Sequence, residues 1–328
     1  MIRRKGLKNI AFFCVLLTLV MVMIYAGVQI VESRVNGNPG ESPGRVARKT
    51  ITRDGEKYFQ RQDITVMMIL GIDQFGPVES SNYYRNNRAA DTIMLLVFDE
   101  ADESCSVLHL NRDTMVDMTV LGVKGEYGGT SYGQLALAHT YGTGLEDSCE
   151  NMKATLEKVL PGASIDYYMA LNMDAVSILN DAVGGVTVDV VDDFSDVNPS
   201  ITMGEVTLQG QQAIDFVRIR KDVGNQKNVA RMKRQEEYVK GFLDQLRQKE
   251  ARNVNFLLNV YEEAGPYIVT DCSVSTLRKM LEQYTDYEVK EVISPEGNNV
   301  KGEEHYEFYA DEEKLNELIV RLFYAPKK

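Results

Sequence analysis

Between Ile10 and Val31 the sequence IAFFCVLLTLVMVMIYAGVQIV runs for 22 residues without a charged side chain. As a helix rising about 1.5 Å per residue it spans about 33 Å, against roughly 30 Å of bilayer hydrocarbon. Arg3, Arg4, Lys5 and Lys8 precede the run and Glu32 follows it. Cations on the amino-terminal side orient such a helix with that terminus in the cytoplasm. A cleavable secretory signal has a shorter apolar region and an A-x-A-like cleavage site, and no such site follows here. The expected organisation is a cytoplasmic tail at 1–9, a single membrane anchor at 10–31, an extracytoplasmic stalk at 32–60 and a working domain at 61–328, outside the cell membrane.

Charge narrows what that domain can bind. The chain carries 36 basic and 48 acidic residues, and setting aside the four amino-terminal cations leaves 32 basic, a formal charge of -16. Non-specific nucleic-acid binding requires a basic face that neutralises phosphates, so a nucleic-acid partner is not expected. Cys14 lies in the apolar run, while Cys105, Cys149 and Cys272 follow it without C-x-x-C spacing. One disulfide is possible, and a cysteine zinc site is not expected. His109, His139 and His305 adjoin no recognisable nucleophile elbow, which argues against Ser-His or Cys-His catalysis.

The stalk segment is polar and rich in Gly, Pro and charge. After it come three strand signals: ITVMMILGID from Ile64, DTIMLLVFDE from Asp91 and SVLHLNRDT from Ser106. The turn ADESC joining the last two is short enough for antiparallel neighbours. Farther on, DSCENMKATLEKVL and NMDAVSILNDAVGG read as helices, IDYYMAL and VTVDVV as strands, and VARMKRQEEYVKGFLDQLRQ as a long amphipathic helix. LQGQQAIDFVRIRK reads as a short helix with room for a strand. The expected fold is one α/β domain, a mixed central sheet flanked by helices.

If the second strand is antiparallel to its neighbours, Asp73, Asp91 and Arg112 leave the sheet at one edge. Arg218 and Arg220 are two apart, so an extended segment would point both to one face. Arg231, Arg234 and Gln235 share a helix face. Planar guanidinium forks near a helix start suit phosphate oxygens.

The motifs GID (Gly71 to Asp73), RAADTIMLL (Arg88 to Leu96), NRDT (Asn111 to Thr114), IDYYMALN (Ile165 to Asn172), DAVGGVTVDV (Asp181 to Val190), LQGQQAIDFVRIRK (Leu208 to Lys221) and ARMKRQ (Ala230 to Gln235) occur in an order that resembles the LytR-CpsA-Psr family of cell-wall glycopolymer transferases. The resemblance implies transfer of a teichoic-acid or capsular glycopolymer from an undecaprenyl pyrophosphate carrier to peptidoglycan. It implies Mg²⁺ held by Asp73 and Asp91, a pyrophosphate gripped by Arg88, Arg112, Arg218, Arg220 and Arg231, and catalytic roles for Arg112 and Asp91. Three departures stand out. Arg88 lies three residues before Asp91 where the family commonly has two, Asn111 replaces a proline, and GNQKNVAR replaces G-D-x-G-R. The alternatives are a polyprenyl pyrophosphate hydrolase, or a wall-associated protein that binds polyprenyl lipid or glycan without catalysis.

Overall fold

The three apolar runs become adjacent strands of one sheet in the computed structural model, which describes residues 49–326 apart from 54, 123, 225–227, 251–255, 285 and 304. The anchor run at 10–31 lies outside the described residues, as does most of the stalk. Among the described residues no helix is long and apolar enough to cross a membrane.

The central sheet has six strands. β3 (Ile64–Ile72), β4 (Ala90–Asp99) and β5 (Ser104–Leu110) are antiparallel neighbours, as the short ADESC turn requires. β8 (Tyr167–Leu171) joins β3 in parallel, β11 (Ile268–Thr270) lies antiparallel beyond it, and β12 (Glu288–Ile293) runs parallel to β5 at the other side. Because the sheet is covered on both faces, β3 and β4 are continuous apolar runs rather than alternating ones. Val66, Met68 and Leu70 of β3 face one layer, in which Met152 and Leu156 of α1 (Glu146–Val159) and Ile319 and Leu322 of α7 (Glu312–Phe323) are buried. Met67 of β3 and Met94, Leu96 and Phe98 of β4 face the opposite layer, where Val239 of α4 (Asn228–Glu250) and Leu277 and Met280 of α6 (Val274–Tyr284) pack. A second core joins the hairpin of β9 (Val186–Val190) and β10 (Gly204–Leu208) to α3 (Gln211–Arg218) through Phe194 and Phe216, whose ring centroids are 5.8 Å apart.

Two local assignments differ from expectation. Thr50–Gln60, expected in the stalk, forms β1 (Thr50–Arg53) and β2 (Glu56–Gln60), and β2 pairs with the carboxy-terminal β15 (Tyr324–Pro326). Ile51 and Tyr58 pack on the main core, which draws this otherwise polar segment into the domain. The stretch around Arg218 is helical rather than extended: α3 ends at Arg218, and Arg220 lies in the turn beyond it. Its apolar residues Ala213, Ile214, Phe216 and Val217 recur at helical spacing and are buried together. Cys105, Cys149 and Cys272 are buried and free.

Candidate active site

Asp73 follows the last residue of β3 in a turn fixed by the start of α2 (Met173–Ala182). Met173 N donates to Gln74 O at 3.0 Å, Asn172 Nδ2 donates to Gly76 O at 2.5 Å, and Gly76 N donates to Asp174 Oδ2 at 2.6 Å. Asn172 also caps α2 by accepting from Ala175 N at 3.0 Å, so one buried side chain serves both the helix and the turn.

Asp91 reaches the same place through a β-bulge. Gly71 pairs with Thr92 and Ile72 with Ala90, leaving Asp91 as the extra residue between them. Bulges re-aim side chains. Strict alternation along β4 would put Asp91 on the face of Ile93 and Leu95, in the first core. Instead Ala90 packs in that core, and Asp91 lines a cavity with Thr92 and Met94. Gly71 permits the close approach, since a Cβ there would meet Thr92 Cβ at 2.9 Å.

Arg112, two residues beyond β5, forms an ion pair with Asp91 Oδ1, and Arg231 Nη1 of α4 donates to Asp91 Oδ2 at 3.0 Å. Arg218 Nε donates to Asp73 Oδ1 at 2.7 Å, and its guanidinium lies 5.5 Å from the Phe75 ring centroid. That bond raises the Arg218 pKa. Arg220 is exposed and makes no hydrogen bond among the described residues, but its charge reaches Asp113 and Arg231. Arg231 is only 4% exposed, and burial, reinforced by the neighbouring Arg112 charge, lowers its pKa although Asp91 opposes the shift. Burial likewise raises the Asp113 carboxyl.

Two buried donors in this cluster have no hydrogen-bond partner among the described residues: Nε of Arg112 and Nε of Arg231. Arg112 Nε lies 3.4 Å from Asp113 Oδ1 but out of hydrogen-bond alignment. Buried polar atoms are rarely left unsatisfied, and two guanidinium donors beside one carboxylate suit an incoming anion.

The expected residues therefore divide. Asp73, Asp91, Arg112, Arg218 and Arg231 meet, with Arg220 close by. Arg88 stands apart: its Nη1 donates to Glu79 O at 2.5 Å over Gly144, its backbone N is held by Asn86 Oδ1, and its carbonyl by His139. Arg234 shares the Arg231 face but is a strut. It donates to Phe216 O at 3.0 Å, to Ile219 O and to Asp192 Oδ2 at 2.6 Å, and its guanidinium lies 5.3 Å from the Phe194 ring centroid. It thereby fixes the end of α3, where Arg218 lies, and the segment after it that carries Arg220.

Sequence reasoning missed one pair. Asn228 Oδ1 accepts from Arg231 Nη2 at 2.7 Å while its Nδ2 donates to Asn111 Oδ1 at 2.9 Å. Asn111 and the loop before Arg231, two of the departures noted in the sequence, are thus joined by their own side chains.

The charged edge opens onto an apolar track. Asp73, Asp91, Arg218, Arg231 and Gln235 line a cavity whose floor is Ile69, Gly71, Met94 and Leu171. The next residues along the same face of the three strands, Met67, Leu96 and Met169, line a second cavity of about 260 Å³, closed by residues of α4, α5 (Phe256–Ala264) and α6. Two residues of strand advance about 6.6 Å, so the two cavities follow one another along the sheet.

Fold and site together define an α/β domain with a guanidinium-rich cluster at the edge of its sheet and two largely apolar cavities that follow one another along the sheet from it. The LytR_cpsA_psr family pattern matches residues 29–322, and the chain belongs to that family. Among its relatives is the polyisoprenyl-teichoic acid–peptidoglycan teichoic acid transferase TagU of Oceanobacillus iheyensis, 22% identical over 274 residues, covering 82% of this chain and 79% of the relative. TagU of Enterococcus faecalis is 24% identical over 285 residues, covering 85% and 84%. The same mixed α/β fold occurs in the crystal structure of TagV from B. subtilis, at TM-score 0.61 and 21% identity, covering 80% of this chain and 96% of that one. The structure of TagT bound to LI-WTA also gives TM-score 0.61 at 21% identity, covering 80% and 90%.

Proposed function

We propose that this protein is a membrane-anchored phosphotransferase that moves a teichoic-acid or capsular-type glycopolymer from an undecaprenyl pyrophosphate carrier to peptidoglycan outside the cell. The observation that carries the reading is the convergence of Arg112 and Arg231 on Asp91, with the buried Nε of each lacking a hydrogen-bond partner among the described residues, beside a largely apolar cavity that Asp91 and Arg231 line. Such a shape complements an amphiphile with a strongly anionic head and a long hydrocarbon tail.

In this reading Arg112 and Arg231 hold the diphosphate oxygens from the buried side, and Arg218 and Arg220 approach from the exposed side. A sugar hydroxyl of the acceptor attacks the phosphorus that bears the glycopolymer, its O–P bond forms as the phosphoanhydride bond breaks, and polyprenyl phosphate leaves while the hydroxyl proton passes to that leaving phosphate or to solvent. Charge grows on the leaving and non-bridging oxygens, which preorganised guanidinium groups stabilise without reorganisation.

Asp73 and Asp91 fit Mg²⁺. They are oxygen ligands only, and Mg²⁺ commonly takes one or two carboxylates and completes its octahedron with phosphate and water. The side chains of Asp73 and Arg218 are 40% and 43% exposed, so their pairing can be exchanged for a metal–phosphate one. Bound Mg²⁺ would supply charge neutralisation at the diphosphate. No cluster of three or more acidic, histidine or cysteine ligands occurs among the described residues, so a metal here depends on substrate oxygens.

The test is transfer by the full-length protein in detergent, supplied with lipid-linked glycopolymer, peptidoglycan and Mg²⁺. Covalent attachment of polymer to the wall is expected, and release of polymer phosphate into solution alone would mean hydrolysis instead. Because each buried methylene is worth about 0.8 kcal/mol, a ten-carbon prenyl diphosphate should bind at least ~100-fold more weakly than the long carrier. Equal binding would remove the apolar channel from the account.

Asn228 is expected to orient Arg231. Asn228→Ala should slow transfer about tenfold, the loss of one charge-assisted hydrogen bond. Asn228→Asp keeps an acceptor for Arg231 and should retain most activity. Initial rates for variants of matched melting temperature decide this, and equal rates for the two would dismiss the role.

A further inference from the structure

Two hairpins beside the charged cluster carry a concentration of exposed rings that the reaction at the diphosphate does not use. One is β6 (Met115–Leu121) with β7 (Tyr127–Gln134), and the other β13 (Gly297–Lys301) with β14 (Tyr306–Ala310). Tyr127, Tyr132, Tyr306 and Tyr309 are 70%, 62%, 61% and 42% exposed. On β7, Tyr132 lies opposite Asp117 and Thr130 opposite Thr119, on the face away from buried Val116 and Met118. A bulge at Val120/Leu121 places Tyr127 opposite Leu121 and so on that same outer face, where its hydroxyl lies 2.9 Å from Thr130 Oγ1. Tyr309 of the second hairpin stands close to Tyr132 and donates to Glu307 Oε2 at 2.6 Å.

The two hairpins are tied to the site through the residue after Arg112. Phe308 N donates to Asp113 O at 2.8 Å, and Gln134 Nε2 donates both to Asp113 Oδ1 at 2.9 Å and to Tyr306 O at 2.8 Å. The aromatic surface thus begins one residue from a guanidinium of the proposed diphosphate site. Exposed rings on a rigid scaffold mark an interaction surface more often than solitary apolar side chains do.

The chemistry of the surface selects its occupant. β7 carries no charged side chain from Tyr127 to Gln134, and offers ring faces, hydroxyls and amides. Tyrosine joins an apolar face to a polar edge, as a pyranose joins a C–H face to a rim of hydroxyls. The charges nearest Tyr132 and Tyr309 are carboxylates, Asp117 opposite Tyr132 and Glu307 bonded to Tyr309, while the exposed cations Lys124 and Lys301 lie at the hairpin ends, Lys301 opposite Tyr306. The carboxylates repel a phosphate polymer such as a teichoic-acid donor and accept hydrogen bonds from neutral sugar hydroxyls.

We propose that these hairpins form the acceptor subsite, where the N-acetylhexosamine strand of peptidoglycan stacks on Tyr132, Tyr309 and Tyr127 so that one of its hydroxyls reaches the Arg112 end of the site. The assignment rests on the transferase reading and gives its second substrate a place on the fold.

Full-length protein, wild type and Tyr132→Ser/Tyr309→Ser, is sedimented with purified peptidoglycan freed of wall polymer, with free teichoic acid as competitor. Prenyl diphosphate binding is measured in parallel. The double variant should lose retention by about tenfold or more and raise the KM for peptidoglycan with little change in kcat, at unchanged carrier affinity and melting temperature. The Tyr132→Phe/Tyr309→Phe variant should restore retention. Undiminished retention in the serine variant overturns the proposal, as does displacement by teichoic acid at equal sugar concentration. Tyrosine-dependent retention by a wild-type protein that transfers nothing would uphold the surface and defeat the transferase reading alone.

Discussion

Replacing Arg231 by methionine is expected to slow transfer about 10²–10³-fold, the usual cost of removing one preorganised donor from developing charge. The same substitution should leave the melting temperature unchanged or slightly higher. Arg231 is 4% exposed, its Nε has no partner, and burial together with Arg112 weighs against its charge. Asp91 keeps Arg112 when Arg231 is lost, so the substitution leaves no carboxylate unpaired. A methionine of similar length fills the space without the cost of desolvating a cation. Arg234, one turn further along α4, gives the contrast. Its donors are engaged by Phe216 O, Ile219 O and Asp192, so Arg234→Met should lower the melting temperature by several degrees. Transfer rates and thermal melts of the two variants measure both effects. A large fall in melting temperature for Arg231→Met would make Arg231 a structural strut rather than a group held ready for an anion.

Acid should destabilise the domain through His139. This side chain is 1% exposed, its Nδ1 lies 2.7 Å from Arg88 O, and its Nε2 is buried without a partner. Burial, with the Arg88 charge, lowers its pKa to about 4, against the opposing hydrogen bond to the Arg88 carbonyl and the charge of Asp147. An unfolded histidine titrates near 6.5, so above that pH both states are neutral and stability is complete. Between about 6.5 and 4 the unfolded chain gains a proton that the folded one refuses, and stability falls by about 3 kcal/mol in all. His139→Gln should therefore narrow its stability gap to wild type by about that amount between pH 7 and pH 4, as measured by denaturant unfolding. A gap that stays constant with pH would show that His139 titrates normally in the folded protein.

Much of the charged edge is legible in the sequence. Three apolar runs with a five-residue turn between two of them admit few arrangements, and antiparallel pairing delivers Asp73, Asp91 and Arg112 to one edge. The detailed aim of Asp91 was not legible, because period-two counting sends it to the wrong face and only the bulge opposite Gly71 and Ile72 corrects it. The helix ending at Arg218 was half visible in its apolar spacing, but a two-residue interval between arginines suits a strand as well. Arg88 lies outside the charged cluster for a tertiary reason: Asn86 and His139 hold its backbone, and its guanidinium donates to Glu79 O. The partnership of Asn111 with Asn228 joins positions 117 apart, and the pairing of β2 with β15 spans most of the domain. Neither leaves a periodic trace in the sequence.

A crystal structure of residues 49–328, which form one compact unit, with a polyprenyl diphosphate and Mg²⁺ is the direct test of the central claim. The account predicts phosphate oxygens within hydrogen-bond distance of the Nε atoms of Arg112 and Arg231, the metal on Asp73 and Asp91, and the tail along Met94, Leu96 and Met169. A diphosphate bound elsewhere, with both aspartates still paired to their arginines, would contradict it.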